Sequence, residues 1–334
     1  MRLQYFIFSL ITLGLLSFSC GSDDEPTNTP TANFEAFWNT FDQQYSYFEL
    51  KNIDWDAIKT EYAPQITDNI TDRQLFDTFS EIIWKLKDGH VRLQSSQGNS
   101  FYRLEPGEVD NSAVNPQQYV NITEQNNRFT IGRLKDKNVG YIAVHSLSGN
   151  IDGPEYQALY ASVSSFSSYD GLIIDLRNNG GGNDAIAQRF VQSFASQSVV
   201  FRRFRFREQS SRNAFTPWQE SLITPENTIN FEKPIVVLTN RRVVSSAEGF
   251  TLMLKALFNV TLMGDTTAGS TGNPGAFQLP NGWELYVSRW QVTDPDGNYV
   301  EDQGIAPDQV VYITEADRNS GVDTILEAAI ASFN

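Results

Sequence analysis

Four short apolar runs, residues 139–144, 171–176, 234–238 and 260–263, constrain this 334-residue chain more tightly than anything else in it. Each is continuous in apolar character over strand length, so each reads as a strand buried on both faces. Helical stretches near 184–194 and 247–258 separate the last three. Strand, helix, strand, helix, strand implies right-handed crossovers and a largely parallel sheet, an α/β class. In such sheets ligands gather at the carboxyl ends of the strands, where the connecting loops begin.

The chain ahead of the sheet has a helical pattern. Phe34, Phe37, Trp38, Phe41, Tyr45 and Phe48 recur at spacings of three and four, the apolar face of one helix. Trp55, Ile58 and Tyr62 mark a second, shorter helix. Thr71 and Gln74 form a capping-box pair ahead of Leu75, Phe76, Phe79, Ile82, Ile83 and Leu86, a third helix that Gly89 is expected to stop. A small three-helix bundle is predicted. With 23 Phe, 13 Tyr and 6 Trp the chain carries an apolar load that no disordered segment could bury. The stripes therefore read as core.

The first residues have the character of an address. One basic residue, Arg2, precedes an apolar run over 5–16 and then small or hydroxyl residues up to Cys20, the single cysteine of the chain. A spanning helix needs roughly 20 apolar residues, so this is a signal-peptide core and not a membrane span. A cysteine at the cut site resembles the lipidation site of bacterial lipoproteins; the alternative is an ordinary secretory signal with an incidental cysteine. The expected division is a signal peptide over 1–19, a lipidated Cys20 with a flexible acidic tether to 32, a helical bundle over 33–89 and an αβ core over 90–334. Residues 90–138 form a β-rich lead-in to that core. The body is expected outside the cytoplasm, at the outer membrane or cell surface, touching membrane only through the lipid.

Composition removes several function classes. A net charge of −15 argues against a general nucleic-acid binder, which needs a basic surface. One Cys and two His exclude a disulfide scaffold, a Cys-rich zinc site and a His-rich metal cage. No metal or organic cofactor is expected, and any histidine base must be His90 or His145.

Three loops attract attention. Arg177-Asn178-Asn179-Gly180-Gly181-Gly182 follows a buried strand and opens a helix, either as a tight turn or as backbone that approaches a ligand. It lacks the Lys-Ser/Thr end of a phosphate loop. After the next strand, Ser245 and Glu248 read as a helix cap; the same geometry would expose a serine beside free N–H groups. Lys87-Asp88-Gly89-His90 closes the third helix. The one basic cluster, residues 201–207, reads as a strand with arginines outward or, through Arg205 and Arg207, as a patch for a substrate carboxylate. His145 reads as an ordinary strand residue.

Taken in order, these pieces resemble the tricorn-like and C-terminal-processing serine peptidases. The stretches that carry the resemblance are Leu86-Lys87-Asp88-Gly89-His90, Ile174-Asp175-Leu176-Arg177-Asn178-Asn179-Gly180-Gly181-Gly182 and Ser245-Ser246-Ala247-Glu248. Gly264-Asp265-Thr266-Thr267-Ala268-Gly269 and Glu301-Asp302-Gln303-Gly304-Ile305-Ala306-Pro307-Asp308 complete the set. The resemblance implies a crotonase-like αβ core behind the helices, with Ser245 as nucleophile. It implies an oxyanion hole from the N–H of Ser246 and of a glycine in Gly180–Gly181. The processing branch uses a lysine about 25 residues after the serine; here Ser270 holds that place, and no lysine follows Lys255. The tricorn-like branch uses the histidine of the Asp-Gly-His motif, which is His90, supported by an acidic residue that matches Glu301. Tricorn itself has a relaying serine before the histidine, where this chain has Gly89. The implied substrate is a peptide or unfolded protein. A non-catalytic binder of peptides or apolar ligands, and a hydrolase of other esters or amides, are the rival readings on this scaffold.

Overall fold

The computed structural model describes residues 28–333 except positions 106, 210, 227 and 230; the expected signal segment and lipidation site Cys20 lie outside the described residues. The chain begins with helices α1 (Pro30–Gln44), α2 (Trp55–Tyr62) and α3 (Asp72–Lys85). Each has a side-chain cap: Thr29, Asp54 and Thr71 accept an N–H from the first turn, and Thr71 pairs with Gln74 in the expected capping box. The first aromatic stripe overshoots its helix. α1 ends at Gln44, and Tyr45 turns to extended backbone. The reason is tertiary: Ser46 N–H donates to Ser288 O and its hydroxyl to Trp290 O, which pulls the chain off the helix while Tyr45 and Phe48 stay buried.

These helices close over a four-stranded antiparallel sheet. It holds β1 (Arg92–Ser95) and β2 (Gly98–Phe101) from the lead-in, with β11 (Pro274–Gln278) and β12 (Glu284–Ser288) from much later in the chain, in the order β11-β12-β1-β2. Phe37 stacks on Phe79 at 4.2 Å, and Trp283 of the sheet's β11–β12 turn sets its edge on Phe79 at 6.0 Å. Leu93, Leu285 and Val287 complete this core. The helical segment thus shares one apolar interior with strands from the far end of the chain, and the loop that holds His90, between α3 and β1, is fixed by that interior.

The main sheet has seven strands in the order β14-β10-β9-β6-β5-β4-β3. β3 (Val120–Gln125) and β4 (Phe129–Leu134) run antiparallel at one side. β5 (Val139–Val144), β6 (Gly171–Asp175), β9 (Ile235–Thr239), β10 (Val260–Gly264) and the short β14 (Gln309–Val310) are parallel. The four apolar runs are β5, β6, β9 and β10, and β5, β6 and β9 are buried along their whole length. Helices α4 (Pro154–Phe166), α5 (Asp184–Gln192) and α6 (Ser246–Lys255) make the crossovers. A third sheet, β13-β7-β8, joins β7 (Val199–Phe206), β8 (Gln219–Ile223) and β13 (Trp290–Thr293). Helices α7 (Glu315–Asn319) and α8 (Thr324–Ala331) end the fold. Among the described residues no helix is long and apolar enough to cross a membrane.

Arg177 anchors the end of β6 from inside. Its guanidinium is buried, donating to both oxygens of Asp175 at 2.9 and 2.6 Å and both of Asp323, the α8 cap, at 2.9 and 3.0 Å. A buried cation with one partner removed is strongly destabilising. Asp323→Ala is expected to lower the unfolding free energy by about 3–5 kcal/mol in urea titrations. A loss under about 1 kcal/mol would mean that Asp175 alone satisfies Arg177.

Candidate active site

Three adjacent parallel strands, β6, β9 and β10, end on the same side of the sheet, and the loops that follow them meet there. The loop after β6 carries Asn179 to Gly182. At Gly181, with φ +91°, an added Cβ would lie 2.9 Å from both Ser245 Cβ and Ser246 N, so only glycine allows the two loops to touch. The loop after β9 delivers Ser245 at the start of α6, with φ 62° and ψ −128°. That backbone conformation favours glycine, and a serine held in it stores of order 1–3 kcal/mol. A serine on a strained strand-to-helix turn, its side chain pushed out at the top of a sheet, is the geometry of an exposed nucleophile.

His90 comes to this serine from the other core. Its Nε2 lies 2.9 Å from Ser245 Oγ, and its Nδ1 lies 2.8 Å from Ser270 Oγ. The ring's own backbone N–H donates to buried Asp88 Oδ1 at 2.8 Å. Burial holds the imidazole below its usual 6.5, against the pull of Asp88, so it is neutral at neutral pH and able to accept a proton. The turn before it departs from expectation. Lys87, and not Gly89, takes the left-handed conformation that ends α3, with φ 49°. Gly89 is required instead by packing: a Cβ there would lie 2.8 Å from Leu104 Cγ. A serine at 89 does not fit without moving Leu104.

The two acidic candidates separate. Glu301 is buried, but its carboxylate does not meet the His90 ring. Oε2 accepts from Thr271 N–H at 2.8 Å and Oε1 pairs with Lys51 Nζ at 3.2 Å, because Ser270 already occupies Nδ1. Glu248, read from sequence as a cap, does more than cap. Its Oε1 accepts from Thr267 Oγ1 at 2.6 Å and Gly269 N–H at 2.7 Å; its Oε2 accepts from Ser270 N–H at 2.9 Å and Ser245 N–H at 3.3 Å. Burial pushes Glu248 up to about 7, and burial with Asp88 nearby pushes Glu301 up to about 8 despite Lys51.

Of the candidate oxyanion donors, Ser246 N–H has no acceptor among the described residues, and nor does Gly180 N–H. Gly181 N–H is turned to Asn179 Oδ1 at 2.9 Å. The arginine patch does not reach the site. Arg207 directs its donors to the carbonyls of Asp42, Tyr45, Glu208, Ser211 and Ala214, and Arg205 is held by Gln291 Oε1 at 2.7 and 2.8 Å. The arginine that does line the 550 Å³ cavity beside Ser245 is Arg202, which pairs with Asp184 at 2.9 Å; Leu252, Trp290 and Val292 supply the apolar wall. Strand alternation in residues 201–207 could have separated 202 from its neighbours only with the sheet register known. His145, expected within a strand, lies just past the end of β5; it bonds Thr130 Oγ1 of β4 at 2.9 Å and does not line the cavity beside Ser245. Among the described residues no cluster of His, Cys, Asp and Glu could hold a metal ion.

With this geometry in hand, the model of peptidase family S41 matches residues 138–311, and that of the tricorn protease C1 domain matches residues 26–83. The chain belongs to peptidase family S41. This S41 chain is similar to a solved Parabacteroides merdae protein described as a candidate peptidase, at 31% identity and a TM-score of 0.82, covering 92% of this chain and 97% of that one. It is 27% identical over 197 residues to a carboxyl-terminal-processing protease of Synechocystis sp., covering 58% of this chain and 43% of the relative. It is 28% identical over 209 residues to the tricorn protease of Thermoplasma volcanium, covering 62% of this chain and 18% of the relative. The chain thus spans less than half the length of the curated relatives it matches.

Two outcomes are expected. Ser245→Gly, which relieves the positive φ, is expected to unfold with about 1–3 kcal/mol more stability than Ser245→Ala, which keeps the strain; equal melting curves would mean that the turn is unstrained. Glu301 and Glu248 keep protons that the unfolded chain releases above the ordinary carboxyl value of 4.5. Their contribution to stability is therefore present at low pH and is lost as pH rises through about 7 and about 8. Glu301→Gln is expected to flatten the fall in melting temperature between about pH 5 and pH 8. Parallel wild-type and variant curves would show Glu301 ionised throughout.

Proposed function

We propose that the protein is a serine endopeptidase that hydrolyses peptide bonds of peptides or unfolded proteins through an acyl-enzyme. The observation that carries this reading is the 2.9 Å contact between Ser245 Oγ, on its strained turn, and Nε2 of a neutral His90. Ser245 attacks the carbonyl carbon while its proton passes to His90 Nε2. The imidazolium then returns that proton to the leaving amine, and water attacks the acyl-enzyme by the same route in reverse. Ser246 N–H at the start of α6, with a glycine N–H from the loop after β6, faces the developing oxyanion. The side chain on the acyl side of the scissile bond enters the cavity lined by Leu252, Trp290, Val292 and the Arg202–Asp184 pair. No metal or cofactor has a part in this chemistry. The exported, lipid-tethered location read from residues 1–32 and the absence of a nucleic-acid partner belong to the same proposal.

One observation favours a second reading. Gly181 N–H donates to Asn179 Oδ1, so one expected oxyanion donor is engaged within the protein. A non-catalytic peptide-binding lipoprotein on the same scaffold would need no free donor there.

Fluorophosphonate labelling read by intact mass separates the two. Wild type is expected to take up one label, Ser245→Ala none, and His90→Ala to react far more slowly. Peptide hydrolysis is expected to fall about 10⁴–10⁶-fold in either variant. An unlabelled wild type selects the binding protein, and labelling that survives Ser245→Ala moves the nucleophile to another serine.

A further inference from the structure

A histidine base is only as good as the group on its other nitrogen. For Nε2 to accept the Ser245 proton, the hydrogen of neutral His90 must reside on Nδ1, and something must hold it there. In this chain the atom at Nδ1 is Ser270 Oγ, at 2.8 Å, on a residue that is itself buried. Ser270 is tied to the nucleophile as well: its carbonyl accepts from Ser245 N–H at 3.0 Å. Three hydrogen bonds therefore close a ring, from Ser245 Oγ to His90 Nε2, from His90 Nδ1 to Ser270 Oγ, and from Ser270 O back to Ser245 N. Glu248 Oε2 accepts Ser270 N–H and holds the ring from beneath.

We infer that Ser270 is the positioning residue of the site: its hydroxyl accepts the Nδ1–H of His90 and fixes the tautomer and the ring angle that the base requires. The inference rests on the proposed roles of Ser245 and His90. Three observations support it. Position 89 carries no side chain to relay the contact, and an added one would first have to displace Leu104, whose Cγ would lie 2.8 Å from its Cβ. Glu301, a residue away in the same network, is committed to Thr271 N–H and Lys51. The loop from Gly269 to Thr271 is held at three successive N–H groups by carboxylates, the first two by Glu248 and the third by Glu301, so the hydroxyl is preorganised.

The proton count is simple. One proton leaves Ser245 Oγ for Nε2 and later goes to the leaving amine. Nδ1–H stays on the ring throughout, and Ser270 keeps its own hydroxyl proton. A hydroxyl brings no charge, so the field that stabilises the imidazolium comes from carboxylates around it. The nearest is Asp88 on the ring's own turn, which pulls His90 toward the charged form. Glu301, pushed up to about 8, and Glu248, pushed up to about 7, add to that field only as pH rises through those values, with Lys51 opposing them.

The test uses the fact that the chain has two histidines. Imidazole ¹⁵N spectra of the wild-type protein, with His145→Gln used for assignment, are expected to show neutral His90 protonated at Nδ1 and bare at Nε2. The opposite tautomer overturns the inference, and this readout needs no variant at position 270. Ser270→Ala is expected to lower kcat about 10²-fold with KM little changed, and Ser270→Thr to restore most of it. Ser270→Asp places a carboxylate on Nδ1, which favours the imidazolium, so the acid limb of its kcat/KM profile is expected to move to higher pH. Unchanged kcat in Ser270→Ala, or an acid limb that stays put in Ser270→Asp, also overturns it. Loss of fluorophosphonate labelling in wild type would instead remove the underlying reading of Ser245, a separate result.

Discussion

One buried carboxylate organises the site. Glu248 accepts four hydrogen bonds, from Thr267, Gly269, Ser270 and Ser245. A group buried this deeply is tolerable only when its lone pairs are met, and here meeting them draws two loops onto the first turn of α6. The strained backbone of Ser245 follows from that clamp. Left alone the residue would relax to negative φ; held through its N–H by Glu248 and the Ser270 carbonyl, it is kept with its hydroxyl projecting outward.

The second requirement is docking. Ser245 belongs to the αβ core and His90 to the core built by α1–α3 with the four-stranded sheet. A hydrogen bond between residues 155 positions apart requires these two interiors to meet within a few tenths of an ångström. The contacts that bring them together are polar and buried: Lys51 on Glu301, Tyr47 on Thr271, Ser46 on Trp290 and Arg207 on the carbonyls of Asp42 and Tyr45. Arg207, read from sequence together with Arg205 as an alternative holder of a substrate carboxylate, works here as a fastener between the helices and the β7 sheet.

How much was legible varied with the range of the interaction. The strands β5, β6, β9 and β10 could be read because burial on both faces leaves a continuous apolar run, and the capping box of α3 because its parts lie three residues apart. Ser245 and His90 could be singled out by motif. The end of α1 could not, since Ser46 leaves the helix for partners 242 and 244 residues away. The role of Gly89 was equally hidden, because Leu104, which crowds the place of a Cβ there, approaches from a loop with no pattern of its own.

The sequence by itself determined the parallel sheet, the aromatic helices in front of it, and the serine, histidine and glycine loop to examine. Those features are local: periodicity, run length and short motifs carry them. Only the tertiary structure decided that Ser270 and not Glu301 meets the ring of His90, that Glu248 binds loops together as well as capping a helix, and that Arg202 and not Arg205 or Arg207 faces the cavity. Such choices turn on a few ångströms between segments far apart in the chain. A hydroxyl or a guanidinium reads the same in sequence whether it faces a substrate, a carbonyl or water, and only packing selects among them.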